Sequence, residues 1–161
     1  MKRLRRLIPS VLFCLLLSFS TSFATPLPVP FPSAKDKCPV CGMFVAKYPD
    51  WTTTVTFKDG STLFFDGVKD FFTFFHNMNR YTPGRNQTTV ASATLKDYYS
   101  LKNIDARKAL FVLGSNVYGP MGKELVPFEK ASDAQAFLRD HQGKKVLSFG
   151  EITPAILKSL E

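Results

Sequence analysis

The order of apolar patterns along the sequence predicts an α+β fold made of two tandem ββαβ units, with antiparallel sheets and helices packed on one face. Three observations support this class: a hairpin signature ending at residue 65, an amphipathic helical pattern directly after it, and a second strand–strand–helix–strand order after residue 108. The repeat is one of pattern and not of residue identity. Units of about 50 to 60 residues are marginal alone, so the two are expected to pack on one another.

The first unit opens with a hairpin predicted at residues 51–65. Its strands are rich in β-branched and aromatic residues, and the Asp-Gly pair at 59–60 supplies a turn that tolerates positive φ. Asp66 is suitably placed to cap the helix that follows. The apolar face of that helix is formed by Val68, Phe71, Phe72 and Phe75. Residues 77–87 contain Pro-Gly and predict a loop, and residues 88–99 predict a strand.

The second unit repeats this order. Its predicted elements are a strand at 109–113, a loop at 114–122, a return strand at 124–128, a helix lined by Ala134, Phe137 and Leu138, a strand at 145–149 and a terminal helix from Thr153-Pro154. Ser132 and Gln135 have the spacing of a capping box at the start of the helix, and Gly143 is expected to end it.

The first 24 residues predict a cleaved secretory signal peptide. A basic start precedes an apolar run from Leu7 to Phe19, and Ser22-Phe23-Ala24 provides a small-x-small exit. The run is shorter than the ~20 residues of a bilayer-spanning helix, although an uncleaved anchor is the alternative. Cys14 follows a bulky residue where lipoprotein signals carry a small one, so lipid attachment is not expected. We therefore expect a soluble periplasmic or secreted protein with no stable membrane span after cleavage.

Beyond the signal, the chain is predicted to consist of a proline-rich arm at 25–37, a first unit at 38–102 and a second unit at 103–161. Proline at every second position from 26 to 32 forbids helix and favours an extended arm. Removing the signal would delete four basic residues and no acid, which lowers the net charge from +8 to +4. The remaining basic residues are scattered without interleaved aromatic residues, a distribution that disfavours nucleic-acid binding.

The chemistry-bearing segment is Lys-Cys-Pro-Val-Cys-Gly-Met at 37–43. Two thiols and a thioether are soft donors, which select copper(I) above all but also zinc and iron–sulfur clusters. Gly42 permits a tight turn, so that the sulfur atoms of Cys41 and Met43 could face one centre. Cys38 completes a C-x-x-C pair.

Three interpretations of this segment compete: metal binding, redox chemistry through a disulfide or thiol exchange, and plain burial of the sulfur residues. Redox pairs of this kind sit at a helix start after a strand, whereas a proline-rich arm precedes this pair and strand-like sequence follows it. A four-sulfur zinc site would require a second cysteine pair in the chain.

Met121 is a second candidate donor, because a methionine in a Gly-Pro-Met-Gly segment has few apolar neighbours; the alternative is a gap-filling core residue. His76 and His141 are interpreted as a surface polar residue and a helix-end charge. Met78 is interpreted as a loop residue, with an extra thioether donor as the alternative. The sequence contains no recognisable carboxylate pair, nucleophile elbow, phosphate loop or dinucleotide fingerprint, and it places no carboxylate beside the thiols. We therefore do not expect an enzyme.

Several segments in a fixed order resemble the NosL family, accessory proteins of nitrous oxide reductase. They are Cys-Gly-Met at 41–43, Asp-Ala-Arg-Lys-Ala at 105–109, Gly-Pro-Met-Gly at 119–122, Leu-Val-Pro-Phe at 125–128 and Val-Leu-Ser-Phe-Gly-Glu-Ile at 146–152. The resemblance implies an extracytoplasmic copper(I)-binding protein whose tandem units are similar in fold to a domain of organomercurial lyase. It implies Cys41, Met43 and Met121 as copper ligands.

The resemblance also implies partners: a client copper enzyme, either nitrous oxide reductase or another periplasmic cuproenzyme, and a copper donor. Cys38 lies outside the family motif, and three roles are open to it: third sulfur ligand, transfer thiol or disulfide partner. Members of the family are commonly lipoproteins, whereas this sequence lacks the lipid signal. The alternative function is a periplasmic C-x-x-C thiol-disulfide oxidoreductase, which would be insensitive to Met121→Ala. A module for mercury compounds rests on fold analogy alone.

Overall fold

The computed structural model describes residues 29–161, in which the first sheet combines the hairpin with two later strands. Its strands are β1 (Thr53–Phe57), β2 (Thr62–Phe65), β3 (Val90–Lys96) and β4 (Asn103–Asp105). They lie in the order β2-β1-β3-β4, and each neighbouring pair is antiparallel. Gly60 in the β1–β2 turn has φ +83°, a left-handed conformation that glycine adopts without steric cost. The hairpin predicted at residues 51–65 is confirmed.

The predicted signal peptide, Cys14 and the start of the proline-rich arm lie outside the described residues. The part of the arm that is described lies against the first sheet, where Lys96 Nζ is 5.4 Å from the centre of the Phe31 ring. An isolated antiparallel bridge then joins Lys37 to Phe44. Among residues 29–161, no helix is both long enough and apolar enough to cross a membrane.

Helix α1 (Val68–His76) follows β2 and covers one face of the first sheet. Its buried apolar residues are Val68, Phe71, Phe72, Phe74 and Phe75. Four of these were predicted from their spacing, and the fifth, Phe74, widens the buried stripe beyond a single row. A helix that is apolar around most of its circumference must be covered on more than one side, and the second sheet provides the other cover.

The second sheet consists of β5 (Leu110–Gly119), β6 (Gly122–Phe128) and β7 (Lys145–Ser148) in the order β6-β5-β7, again antiparallel. Helix α3 (Ala131–Asp140) connects β6 to β7, and α4 (Pro154–Lys158) ends the fold. Thr153 caps α4 by accepting a hydrogen bond from Ile156 N, as expected for Thr-Pro at a helix start. The α+β class with tandem ββαβ units is confirmed.

The two units share one core, because successive residues of β5 point to opposite faces of the second sheet. Phe111 faces α1, and its ring centre lies 5.3 Å from that of Phe72 in an edge-on arrangement. Val112 faces the other way, into a smaller cluster with Phe137 of α3. The expected packing of one unit on the other is therefore present, with α1 between the two sheets.

Several local predictions were wrong. The segment 77–87 contains a short helix α2 (Met78–Tyr81), and 3₁₀ helices form at Val45–Lys47, Pro49–Trp51, Gln87–Thr89 and Phe149–Glu151. The capping box expected from Ser132 and Gln135 does not form, because α3 begins after Lys130 and both residues lie inside the helix. A capping box occurs instead between Ser148 and Glu151.

The predicted loop at 114–122 is mostly strand. β5 and β6 continue their pairing to Tyr118↔Lys123 and Gly119↔Gly122, after a register irregularity between Leu113 and Tyr118. Only two residues, Pro120 and Met121, then separate the strands. The hairpin is therefore long and narrow, and it carries Met121 at its tip.

Candidate metal centre

The two cysteines lie in a tight loop at residues 38–43, referred to below as the cysteine loop. Cys38 N donates a hydrogen bond to Met43 O at 2.9 Å, and Gly42 N donates to Cys38 O at 2.9 Å. Gly42 has φ +79°, a conformation that a side chain would strain. The backbone is thereby folded back on itself, which brings the side chains of Cys38 and Cys41 to one side.

The bend after β2 and the first turn of α1 each place one carboxyl group against these thiols. Cys38 Sγ lies 3.3 Å from Asp70 Oδ2, and Cys41 Sγ lies 3.2 Å from Asp66 Oδ1. One potential ligand atom from each of the four residues lies within 4.8 Å of the others. We call this group the Cys–Asp cluster. Asp66 lies in the bend between β2 and α1, and Asp70 lies in the first turn of α1, so the cluster is built where the strand passes into the helix.

The Cys–Asp cluster is buried, and its polar atoms are incompletely satisfied. Cys38 is 1% exposed and Asp66 is 0% exposed. Asp66 Oδ2 has no hydrogen-bond partner among the described residues. A buried polar atom without a partner costs roughly 1–3 kcal/mol, and a cation bound between the thiols and carboxyl groups would remove that cost. The donor set, two sulfurs and two carboxyl groups, therefore fits a metal ion.

Burial also controls the protonation of the thiols. Loss of solvation raises the pKa of Cys38 from 9.0 to about 12, and hydrogen bonding to the nearby carboxyl groups contributes in the same direction. The pKa of Cys41 is also raised, first by loss of solvation and then by the neighbouring carboxyl groups of Asp70 and Asp66. Both are free thiols in the structure. At neutral pH each thiol keeps its proton, so a metal ion must displace it.

The two methionines proposed as donors lie in two separate segments of the fold. Met43 is half-buried at the end of the cysteine loop. Met121 is 43% exposed, and its carbonyl oxygen accepts a hydrogen bond from Lys69 Nζ at 2.8 Å. Lys69 directly precedes Asp70 in α1, so the turn at residues 119–122, the Met121 turn, is attached to the same helix start that supplies the Asp70 carboxyl group.

Three acidic residues of this region were missed from the sequence. Asp66 was interpreted as a helix cap, but the N-cap of α1 is Gly67 and Asp66 points to Cys41. Asp70 was not singled out, and the expectation that no carboxyl group accompanies the thiols was wrong. The available signal was an Asp-x-x-x-Asp spacing at the start of a phenylalanine-rich helix. Glu124, the third residue, is buried beneath the Met121 turn.

The histidines and Met78 lie elsewhere. His76 Nε2 lies 2.7 Å from Ile152 O, which ties α1 to the segment before α4. His141 stacks on Phe137 with ring centres 4.2 Å apart and lies at the end of α3, as expected. Met78 is buried in the core and not in a loop. The Cys–Asp cluster contains none of these residues.

Comparison with known proteins gives one family. The family model for NosL matches residues 28–157. The copper-binding lipoprotein NosL of Stutzerimonas stutzeri is 29% identical over 131 residues, which are 76% of this chain and 65% of that protein. The chain thus spans slightly less than two thirds of the length of this curated relative. The crystal structure of the copper chaperone NosL from Shewanella denitrificans matches with a TM-score of 0.67 at 27% identity, over 81% of this chain and 99% of that chain.

Proposed function

This chain belongs to the NosL family, and from that premise we propose that it is an extracytoplasmic copper(I) carrier that passes its ion to a copper enzyme. The observation that supports the proposal most directly is the convergence of two thiols and two carboxyl groups within 4.8 Å, where the buried Asp66 Oδ2 has no hydrogen-bond partner among the described residues. The names of its relatives, a copper-binding lipoprotein and a copper chaperone, agree with a carrier and not with a catalyst.

The proposed copper ligands are the thiolates of Cys41 and Cys38 and the thioethers of Met43 and Met121. A thiolate supplies negative charge to the monovalent cation, and a thioether adds a soft donor that needs no deprotonation. Each thiol that binds copper(I) exchanges its S–H bond for an S–Cu bond and releases one proton. The carboxyl groups that already accept hydrogen bonds from these thiols are suitably positioned to pass those protons on to solvent.

The exposure of the proposed ligands suits transfer. Cys38 is buried, Cys41 is half-buried and Met121 is exposed. The cysteines would therefore bind the ion on its buried side, and its Met121 side would be accessible to solvent. An incoming ligand from a client could bind on the open side before the carrier's own ligands leave. We propose nitrous oxide reductase, or another extracytoplasmic copper enzyme, as that client. This choice of client rests on the family resemblance.

The same geometry disfavours the alternative, a thiol-disulfide oxidoreductase. The attacking group in thiol exchange is the thiolate, and catalytic cysteines have a lowered pKa. Here the pKa of Cys38 is raised to about 12 and that of Cys41 is raised as well. Neither thiol lies at a helix start, because the cysteine loop precedes a 3₁₀ turn at Val45–Lys47. Both thiols are consequently poor nucleophiles at neutral pH.

Copper(I) titration of the reduced protein under anaerobic conditions tests the proposal. We expect about one equivalent to bind, with a large loss of affinity in a Cys41→Ser, Met43→Ala variant. Asp50→Asn, which changes an exposed carboxyl group away from the cluster, is the matched control and should bind as the wild type does. Equal affinity in the cysteine–methionine variant and the wild type would refute the carrier proposal.

A further inference from the structure

Glu124 joins the Met121 turn to the start of α1 through a single oxygen atom. Its Oε1 accepts a hydrogen bond from Lys69 N at 2.6 Å and another from Leu125 N at 2.8 Å. Lys69 N belongs to the first turn of α1, where backbone N–H groups have no partner within the helix. The N-cap residue Gly67 has no side chain to supply one. The first turn of α1 is therefore capped from β6, by a residue of the other ββαβ unit.

Two glycines make room for this carboxyl group, one on each element that it joins. A Cβ atom at Gly67 would overlap Glu124 Oε2, and one at Gly119 would lie 3.0 Å from Glu124 Cγ and 3.2 Å from Oε2. Gly67 has φ −162°, which any residue can adopt, so space and not backbone conformation requires glycine there. The side chain of Glu124 is thus enclosed between the helix start and the base of the Met121 turn.

A second contact spans the same gap. While Lys69 N donates to Glu124, Lys69 Nζ donates to Met121 O at 2.8 Å. The Met121 side chain is 43% exposed, so packing on the described residues constrains it only partly. The position of its sulfur atom consequently depends on how the backbone of the turn is held, and Glu124 provides the buried part of that attachment.

We propose that Glu124 is a positioning residue that holds the Met121 turn beside the Cys–Asp cluster and thereby delivers the Met121 thioether to copper(I). This inference rests on the proposed function, in which Met121 is a ligand. Glu124 acts through Met121 and is not itself a ligand. Its Oε1 is occupied by two backbone donors, and its Oε2 faces Gly67 and Gly119.

The proposal distinguishes two substitutions at this position. Glu124→Ala removes both hydrogen bonds and releases the turn. Glu124→Gln keeps a carbonyl oxygen that can accept both hydrogen bonds, so it should retain the attachment. We expect Glu124→Ala to lower copper(I) affinity about 10- to 100-fold, the usual effect of losing a residue that orients a metal ligand, and Glu124→Gln to restore most of it.

Copper K-edge absorption spectroscopy on the loaded protein gives a readout that general loss of stability would not change. Glu124→Ala should show one sulfur neighbour fewer than the wild type, as Met121→Ala should. Adding Glu124→Ala to Met121→Ala should cause no further loss of copper(I) affinity, because Glu124 affects the affinity only by positioning Met121. An unchanged sulfur count in Glu124→Ala, or additive losses in the double variant, would overturn the proposal. So would a loss in Glu124→Gln as large as that in Glu124→Ala.

If Glu124→Ala does not fold, Gly67→Ala provides the second test, because its methyl group would displace the Glu124 carboxyl group. Gly150→Ala is the matched control, since a Cβ at Gly150 meets no atom within 4 Å. We expect Gly67→Ala to lose a sulfur neighbour and Gly150→Ala to keep all of them; equal counts would overturn the proposal. Failure of the proposed function would look different, because copper(I) binding would then also be insensitive to Cys41→Ser.

Discussion

Copper(I) affinity should rise steeply with pH, because each thiol that binds the ion must first lose a proton. Burial and the neighbouring carboxyl groups raise the pKa of Cys38 to about 12, and the pKa of Cys41 is raised for the same reasons. Both thiols therefore stay protonated in the copper-free protein throughout the range from about pH 6 to about pH 9. Proton displacement accompanies binding across that whole range.

The magnitude follows from the number of thiolates that form. One pH unit changes the free energy of releasing one proton by about 1.4 kcal/mol, which is a factor of ten in affinity. A site that uses both Cys38 and Cys41 should therefore gain about a hundredfold in affinity per pH unit, and a site that uses only Cys41 should gain about tenfold. A thiol with the ordinary pKa of 9.0 would make the curve level off near that pH, whereas the structure predicts a straight line through it.

Competition against a chromophoric copper(I) chelator, corrected for the chelator's own protonation, measures this slope. Protons released on copper addition can be counted independently with a pH indicator in weak buffer. Cys38→Ser is the decisive comparison, because it should reduce the slope from about hundredfold to about tenfold per unit if Cys38 is a ligand. An affinity that does not change with pH, or a curve that levels off below about pH 9, would refute the link between burial and proton displacement.

Three further outcomes are expected. Asp66→Asn should lower copper(I) affinity about 10- to 100-fold. It should leave the free energy of unfolding in urea unchanged, because Asp66 Oδ2 has no partner among the described residues that the substitution could remove. Asp50→Asn, the control, should change neither the affinity nor the free energy of unfolding. The copper-free protein should lose stability as pH rises above 9, because the Cys38 thiol has a pKa near 9.0 in the unfolded chain and about 12 in the folded protein. Urea titrations at several pH values measure this loss, and it should be smaller in Cys38→Ser. Phe72→Ala should cost about 3–5 kcal/mol in urea unfolding, because Phe72 is fully buried against Phe111 of the other unit; a loss below about 1 kcal/mol would contradict the shared core.

The elements that could be predicted from the sequence are those specified by local spacing. The apolar period that begins at Val68 defines α1, and Asp59-Gly60 defines the β1–β2 turn, without reference to any distant residue. β4 escaped prediction because three residues carry no periodicity of their own, and pairing with β3 defines the strand. The extension of β5 to Gly119 was missed for the same reason, since β6 supplies its partners across a register irregularity.

The candidate site shows the same division between local and distant information. Cys38, Cys41 and Met121 attract attention by their chemistry alone, because sulfur donors are scarce and their flanking glycines are unusual. Asp66 is an ordinary residue at the end of a strand until the cysteine loop folds against it. Asp66 becomes part of the candidate site through its contact with Cys41, which is 25 positions away in the chain. A single sequence contains no information on that contact.

The fold explains why such a site could be both firm and accessible. The cysteine loop and α1 belong to one unit and the Met121 turn to the other, so the proposed ligands would form one site only because the two units share a core. The buried end of the site is fixed by Cys38 and Asp70, and the outer end is carried by an exposed hairpin tip. Since a core is close-packed while a hairpin tip can move, the ion would be released by displacing the Met121 turn and not by disturbing the thiols. Copper transfer should consequently be slowed more by tightening that turn, for instance with a disulfide across β5 and β6, than by any change of equal stability inside the core.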